Sequence, residues 1–360
     1  MDWQSLADLA IERRPLSREQ CRRVLDCPDE QMLELLDAAF RVRRRFCGMK
    51  VHLHVLTNAK SGLCPEDCHY CSQSKVSTAD VDKYPLMSTD RLLAEARRAK
   101  RLRAKRYCMA ISGRSPTDRE IDRLCEAIAQ IKAETGLSVC CSLGLLNPGQ
   151  ADKLKSAGLD RINHNLNTSE QHHPQICTTH TYHDRMRTLE TCRGAGLELC
   201  SGGIFGQGES DDDIIELCMT WARLRPESIP VNFLTPIEGT PFEHQTGELT
   251  PYRCLKILCL VRLLNPDREV RIAGGREHHL RALQPLGLYP ANSIFVTGYL
   301  TTPGQRGDEA LRMIEDMGFE IEFDQSEIPP PEPPAETDQD GLPVTHSACV
   351  ADGSFGGPRV

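Results

Sequence analysis

Cys64, Cys68 and Cys71 stand in a C-x3-C-x2-C spacing within Lys60-Ser61-Gly62-Leu63-Cys64-Pro65-Glu66-Asp67-Cys68-His69-Tyr70-Cys71. Three thiolates so close together, in a loop containing Gly62 and Pro65, can wrap one face of an iron–sulfur cube. The fourth iron of a [4Fe-4S] cluster is then left without a protein ligand. A metal needs such an open position if a small molecule is to chelate it, much as catalytic zinc does. The competing chemistry is a structural zinc site. Tetrahedral zinc wants a fourth donor and usually draws on two C-x2-C pairs. His69 could be that donor, but its neighbours in so short a loop leave it badly placed.

A second set of thiols lies in short β-rich runs. Cys108, Cys140 or Cys141, and Cys200 fall on three such runs, and Arg271 on a fourth. Side chains on a strand alternate, so only one of Cys140 and Cys141 can face a given side. If the strands surround one interior, three thiols and a guanidinium converge in it. A buried arginine is costly without an anion beside it, and an iron–sulfur cluster with its thiolates is such an anion. Asn163, Asn165 and Asn167 share one parity on a further run and Asn232 ends another, so these amides can offer donors and acceptors to a neutral polar ligand. The run Gly202-Gly203-Ile204-Phe205-Gly206-Gln207-Gly208 does not have the dinucleotide-binding glycine order. Its glycines instead let the backbone approach a nucleoside closely.

The elements that must position these residues are legible as an alternation. Strands are expected over Val51–Thr57, Arg106–Ser112, Leu137–Leu143, Arg161–Leu166, Glu198–Phe205, Ser228–Leu234, Glu269–Gly275 and Ser293–Gly298. Helices are expected near 89–104, 118–134, 148–157, 181–195, 210–224, 250–264, 276–284 and 307–317. Eight strand–helix units predict an α/β fold of the (β/α)8 TIM type over residues 51–328, rather than an open doubly wound sheet. Residues 1–50 read as a helical extension, with a capping-box spacing from Ser17 to Gln20 and an apolar stripe through Met32, Leu35, Leu36 and Phe40. The Pro-rich, acidic segment 329–360, which includes Cys349, has too little apolar surface to order itself and is expected to be disordered.

Composition narrows the function classes. The chain has 360 residues, 39% hydrophobic, with 43 basic against 51 acidic side chains and a net charge of −8. That balance argues against a nucleic-acid footprint. Mean hydropathy is −0.40, and no apolar run reaches the roughly 18 residues of a membrane span. The N-terminus lacks the basic and apolar regions of a secretory signal, so a cytoplasmic protein is expected. Seventeen cysteines then point to metal or catalytic chemistry rather than disulfides. Cys21, Cys27, Cys47, Cys125, Cys192, Cys218, Cys254 and Cys259 fall in helical patterns and are read as small core residues.

At these motifs the sequence resembles the biotin synthases, sulfur-insertion enzymes of the radical S-adenosylmethionine (SAM) superfamily. The resemblance spans about residues 15 to 320. It rests on Cys64-Pro-Glu-Asp-Cys-His-Tyr-Cys-Ser-Gln-Ser74, Arg106-Tyr-Cys-Met109, Asn163-His-Asn-Leu-Asn-Thr-Ser169, Cys200-Ser-Gly-Gly-Ile204 and Asn292-Ser-Ile-Phe295. It implies that Cys64, Cys68 and Cys71 hold a SAM-binding [4Fe-4S] cluster. It also implies that Cys108, Cys140, Cys200 and Arg271 hold a [2Fe-2S] cluster, which selects Cys140 over Cys141. SAM contacts are implied for Tyr70, Asn165, Asn167, Arg185 and Ile204, and dethiobiotin contacts for Lys60, Asn163, Asn232, Thr301 and Thr302. The implied reaction inserts sulfur at two unactivated carbons of dethiobiotin. A flavodoxin- or ferredoxin-type electron donor and a homodimer come with the resemblance. Related barrels that insert no sulfur, the methylornithine synthases and hydrogenase-maturation enzymes, would not be expected to keep the second thiol set. Two departures stand out: Asn167 replaces an Asp found in many members, and Ala110-Ile-Ser-Gly-Arg114 lacks an aromatic residue found there in some relatives.

Overall fold

A computed structural model describes residues 2–323 except 246–248, 297, 303 and 306. The proline-rich segment 329–360, with Cys349, lies outside the described residues. The N-terminal extension is helical, as its patterning requires. It comprises α1 (Trp3–Ile11), α2 (Arg18–Leu25) and α3 (Met32–Cys47), the last entered through a short 3-10 turn. Ser17 and Gln20 close the expected capping box at α2, satisfying two otherwise orphaned backbone donors. Met32, Leu35 and Leu36 of α3 are buried and Phe40 is half-buried. Cys27, expected in a helical pattern, falls between α2 and the 3-10 turn; Pro28 directly after it cannot continue the helix.

The strands are β1 (Lys50–Lys60), β2 (Arg106–Ile111), β3 (Ser138–Ser142), β4 (Arg161–Asn163), β5 (Glu198–Cys200), β6 (Gly203–Phe205), β7 (Ser228–Phe233), β8 (Glu269–Ile272), β9 (Ser293–Phe295) and β10 (Glu320–Ile321). Between and after them run α4 (Thr89–Arg101), α5 (Asp118–Thr135), α6 (Pro148–Ser156), α7 (His173–Ile176), α8 (Tyr182–Gly194), α9 (Asp211–Leu224), α10 (Pro251–Leu264), α11 (Arg276–Leu280) and α12 (Gly307–Asp316). Every pairing between these strands is parallel, and β9 returns to β1 through His52↔Ser293, Leu53↔Ile294 and His54↔Phe295. The sheet therefore closes as the expected (β/α)8 barrel. The helices start where short polar side chains cap them: Thr117, Asn147, Thr181 and Ser210 each form a capping box.

Three details depart from the expected pattern, and each shapes the interior. The fifth strand, expected unbroken over Glu198–Phe205, divides at Ser201-Gly202. β5 pairs with β4 and, through Cys200, with β7, whereas β6 pairs with β7 and meets the chain after β4 in a single bridge, Gly203↔Asn167. Gly202 permits the break, because a Cβ there would sit 1.9 Å from the Pro230 carbonyl oxygen. The fourth strand ends at Asn163 instead of Leu166, where the chain leaves the ladder toward Asn167 in the left-handed region at φ 70°. Finally, β10 pairs with the start of β1. Its pattern was not read as a strand because it spans only two residues. Outside the barrel, Cys141, Cys192, Cys218, Cys254 and Cys259 are buried in the main hydrophobic core with Trp221. Among the described residues all cysteines are free, and no helix is long and apolar enough to cross a membrane.

Candidate active site: two thiol sets and the cavity above one of them

Strand parity builds the barrel interior in layers. Arg106, Cys108 and Ala110 share a face of β2, as do Glu269 and Arg271 on β8. Register places Cys108 beside Cys140 and Asn163 beside Cys200. Cys108, Cys140 and Cys200 are buried together with Ala273 and Phe295, apart from the main core. Cys141 packs outward into that main core. The ambiguity between the neighbouring cysteines is thus resolved as to direction: Cys140 faces the interior.

Arg271 completes this layer. Its Nη1 lies 3.6 Å from Cys200 Sγ, its Nε donates to Ser293 Oγ at 3.2 Å, and its Nη2 donates to Ser228 Oγ at 2.8 Å and Glu269 Oε1 at 2.5 Å. Burial opposes its charge, but Cys200 and Glu269 outweigh that and hold the guanidinium protonated. A buried arginine needs an anion beside it, expected here to be a cluster, but Glu269 already supplies one. That residue was missed, although its parity with Arg271 is the signal that finds it.

Beneath the thiols the floor is an ion-pair network. Arg161 donates to Glu198 at 2.9 Å and to Glu269 at 3.2 Å, and His54 Nε2 lies 3.1 Å from Glu269. The short β10 brings Glu322 to 2.6 Å from His52 and 2.9 Å from Lys105. Burial raises the Glu269 carboxyl, but His54, Arg161 and Arg271 hold it well below the usual range. The buried Arg106 keeps two side-chain nitrogens, Nε and Nη1, without partners. Unsatisfied buried donors are rare and ask for an acceptor.

Above the thiol layer opens a cavity of about 290 Å³. Cys64, Cys68, Tyr70, Cys71, Asn163, Asn165, Asn167, Arg185, Ile204, Asn232, Thr301 and Thr302 all line it. Lys60 does not; its ammonium is held 2.8 Å from Glu120 of α5, just past a bulge in β1 between Asn58 and Lys60. Cys108, Cys140, Cys200 and Arg271 lie below the lining. Asn163 joins the two levels, with its Nδ2 3.2 Å from Cys200 Sγ and 3.2 Å from Asn165 Oδ1. Asn165 Oδ1 also accepts from Gly202 N at 3.0 Å. Arg185 donates to the Asn165 carbonyl at 2.8 Å, while its buried Nε is unpartnered. Asn167 donates to the Tyr70 hydroxyl at 2.6 Å. Asn232 spends both ends of its amide on backbone, at Gly203 O and Gly274 N, each 2.9 Å away.

The cysteine loop has no ladder to hold it, so side chains do the work. Asp67 accepts from Thr178 N at 2.9 Å and Thr179 N at 3.2 Å. Glu66 accepts from Thr179 Oγ1 at 2.7 Å and Arg114 at 3.0 Å, and also contacts His180 Nδ1. His69 N donates to Ile176 O at 2.9 Å, and its ring sits edge-on to Phe242. The segment Cys177-Thr178-Thr179-His180 after α7 is therefore a latch for the loop. Sequence reasoning did not identify it; the signal was the pair Glu66-Asp67, two acids inside the motif that need donors once buried. Cys177 Sγ lies 3.7 Å from Cys68 Sγ, and its hydrogen bond with Cys68 together with His180 and Thr179 holds its thiol down to about 4 despite burial. Burial pushes the Cys71 thiol up to about 11.

The Radical SAM superfamily model matches residues 60–220, and the Biotin and Thiamin Synthesis associated domain matches residues 230–320. The biotin synthase of Geobacillus thermodenitrificans is 53% identical over 322 residues, covering 89% of this chain and 97% of the relative. That of Bacillus subtilis is 49% identical over 320 residues, covering 89% and 95%. Among solved structures, methylornithine synthase superposes with a TM-score of 0.77 at 20% identity, covering 88% of this chain and 97% of that one. The [FeFe]-hydrogenase maturase of Carboxydothermus hydrogenoformans gives 0.73 at 17%, covering 90% and 80%. These two show the fold alone.

Proposed function

The chain belongs to the biotin synthase family, and we propose that its two thiol sets divide one reaction, the insertion of sulfur into dethiobiotin. Membership in the radical SAM superfamily brings a [4Fe-4S] cluster and SAM, and in this family the reaction yields biotin. The observation that carries the division of labour is the layering: loop thiols line the cavity, strand thiols lie beneath it, and Asn163 spans the two levels.

The donor sets fit the groups assigned to them. Cys64, Cys68 and Cys71 all line the cavity, and a three-thiol donor set suits an iron–sulfur cluster with one iron left open. Bound there with SAM, that cluster supplies hydrogen-atom abstraction at unactivated carbons. Arg185, with its buried Nε unpartnered, suits a carboxylate. Asn165 and Asn167 offer amides to a ribose, with Tyr70 fixed by Asn167 and Ile204 giving an apolar face. Thr301, Thr302 and Asn163 meet dethiobiotin; Asn232 shapes that wall from its backbone staples, and Lys60 reaches it only by leaving Glu120. Cys108, Cys140, Cys200 and Arg271 would hold a [2Fe-2S] cluster there and so supply the sulfur, with the open donors of Arg106 supporting an anionic guest in that layer. The ion-paired floor and the burial of the strand thiols would keep a sulfur source in that layer away from solvent.

The methylornithine-synthase-like and hydrogenase-maturation-like alternatives are not favoured, since their resemblance is confined to the fold. A flavodoxin- or ferredoxin-type donor and a homodimer are proposed on the family resemblance. The test is anaerobic reconstitution with iron, sulfide, SAM, reductant and dethiobiotin. Biotin and 5′-deoxyadenosine are expected together; 5′-deoxyadenosine without biotin overturns the sulfur-insertion reading.

A further inference from the structure

Beside the cysteine loop, at the wall of the cavity that Cys68 and His180 both line, a third donor set gathers around Cys177. Its Sγ lies 3.7 Å from Cys68 Sγ and 3.3 Å from His180 Nδ1. One ligand atom from each of the three residues lies within 4.8 Å of the others, and all three residues are buried. Asp67 Oδ1 is 3.2 Å from Cys177 Sγ, and Glu66 contacts the same His180 nitrogen. Neither Cys177 nor His180 has a part in the reaction proposed above.

The spacing fits one kind of guest. Tetrahedral zinc, with Zn–S near 2.3 Å and Zn–N near 2.0 Å, separates two sulfur ligands by about 3.8 Å and sulfur from nitrogen by about 3.5 Å. The observed 3.7 Å and 3.3 Å match two of the three edges; the third, between Cys68 and His180, is within 4.8 Å and closes by side-chain rotation. The backbone on both sides is already fixed by the Asp67 and Glu66 hydrogen bonds, so little ordering is left for binding to cost. His69, which its sequence position offers as a fourth ligand, is instead engaged with Phe242; the fourth position is left to Asp67 Oδ1, already 3.2 Å from Cys177 Sγ, or to water.

We propose that the cluster-free chain binds a thiophilic divalent cation, Zn2+ in class, through Cys68, Cys177 and His180, and that this cation and the [4Fe-4S] cluster exclude one another. Binding releases to solvent whatever thiol protons the two cysteines still carry and changes no oxidation state. Exclusion follows from the shared ligand: Cys68 cannot serve both sites. The chain thus carries a metal-dependent block on cluster loading, relieved when the cation is withdrawn by a chelator.

The test uses the reduced, full-length, cluster-free protein titrated anaerobically with Co2+, a coloured tetrahedral reporter. One equivalent should bind, with visible d–d bands and thiolate-to-cobalt charge transfer. The Cys64→Ala/Cys71→Ala double variant should keep this signal. Cys177→Ser and His180→Asn should each lose at least about 100-fold in affinity, the upper end of what outer-shell changes alone do, with unchanged circular dichroism. Zn2+ loaded beforehand should delay the cluster's absorption in the parent but not in Cys177→Ser. A cobalt signal lost with Cys64 and Cys71 yet retained in Cys177→Ser places the cation in the loop and overturns the proposal, as does absence of binding to the parent. These readouts need neither SAM nor dethiobiotin, so their failure is distinct from failure of the sulfur-insertion reading.

Discussion

The loop thiols and the strand thiols are held by different physics. Cys64, Cys68 and Cys71 sit on backbone without a ladder, positioned by Glu66 and Asp67 gripping the 177–180 latch. Cys108, Cys140 and Cys200 sit on paired parallel strands, over a floor of ion pairs around Glu269. The first set opens to a cavity, and the second is sealed below it. A loop can leave a ligand position open and admit a chelating substrate, whereas a strand layer can keep a reactive sulfur source dry. The difference teaches that one barrel can house two thiol sets because each is fixed by a framework indifferent to the other.

That independence can be broken most severely from above. Cys64→Ala should reduce SAM cleavage to background, because an incomplete thiol set cannot retain the cluster that binds SAM; 5′-deoxyadenosine formation is the measurement. Cys108→Ala should act only below. Biotin formation is lost and the [2Fe-2S] absorption disappears, while the [4Fe-4S] signal and 5′-deoxyadenosine persist. If Cys108→Ala also abolishes SAM cleavage, the two sets are coupled and the comparison fails.

How much could be read beforehand follows the same division. The loop was legible because its chemistry is contiguous: three cysteines at fixed spacing need no fold to be recognised. The strand set was legible only through parity, and parity could not say which of Cys140 and Cys141 faces inward until the register was known. Eight strand–helix units were visible as alternation, but the break at Gly202 was not, because a Ser-Gly-Gly run between β-rich segments looks like a flexible strand. The latch at Cys177–His180 stayed hidden since its role depends on contacts about 110 residues apart. Glu269 was hidden for a plainer reason: its partners Arg161, Arg271 and His54 come from three different strands and meet only in the closed barrel.

Glu269 offers the next sharpest test, since only the strand set leans on it. Glu269→Gln leaves Arg271 without its carboxylate and Arg161 with Glu198 alone, and breaking such a buried pair costs about 3–5 kcal/mol. Denaturant unfolding should show that loss in the cluster-free protein, with the cysteine loop's share of cluster loading retained. Its pH dependence has a definite sign. The folded carboxyl lies well below the ordinary value, so on acidification the unfolded chain, near pH 4.3, takes up the proton first. The stabilisation is whole above that value and is lost as pH falls through the folded one. The parent should therefore lose stability more steeply than Glu269→Gln in acid. Equal slopes would mean that the floor does not depend on this carboxylate.

The smallest expected effect belongs to Asn167, which touches only the upper site. Its φ of 70° is a conformation that Asn and Asp both tolerate and β-branched residues do not. In Asn167→Asp the bond to Tyr70 survives with its direction reversed, the tyrosine hydroxyl donating to the carboxylate. Stability should therefore change by no more than about 0.5 kcal/mol. A carboxylate accepting from a ribose hydroxyl makes a bond roughly twice as strong as a neutral amide does, so SAM should bind a few-fold tighter, as equilibrium binding to the reconstituted enzyme would show. Unchanged affinity would remove position 167 from the ribose and leave it as the clamp on Tyr70. Either outcome should leave the [2Fe-2S] signal untouched, because the amide's partner, Tyr70, belongs to the cysteine loop and nothing in its contact reaches the strand layer.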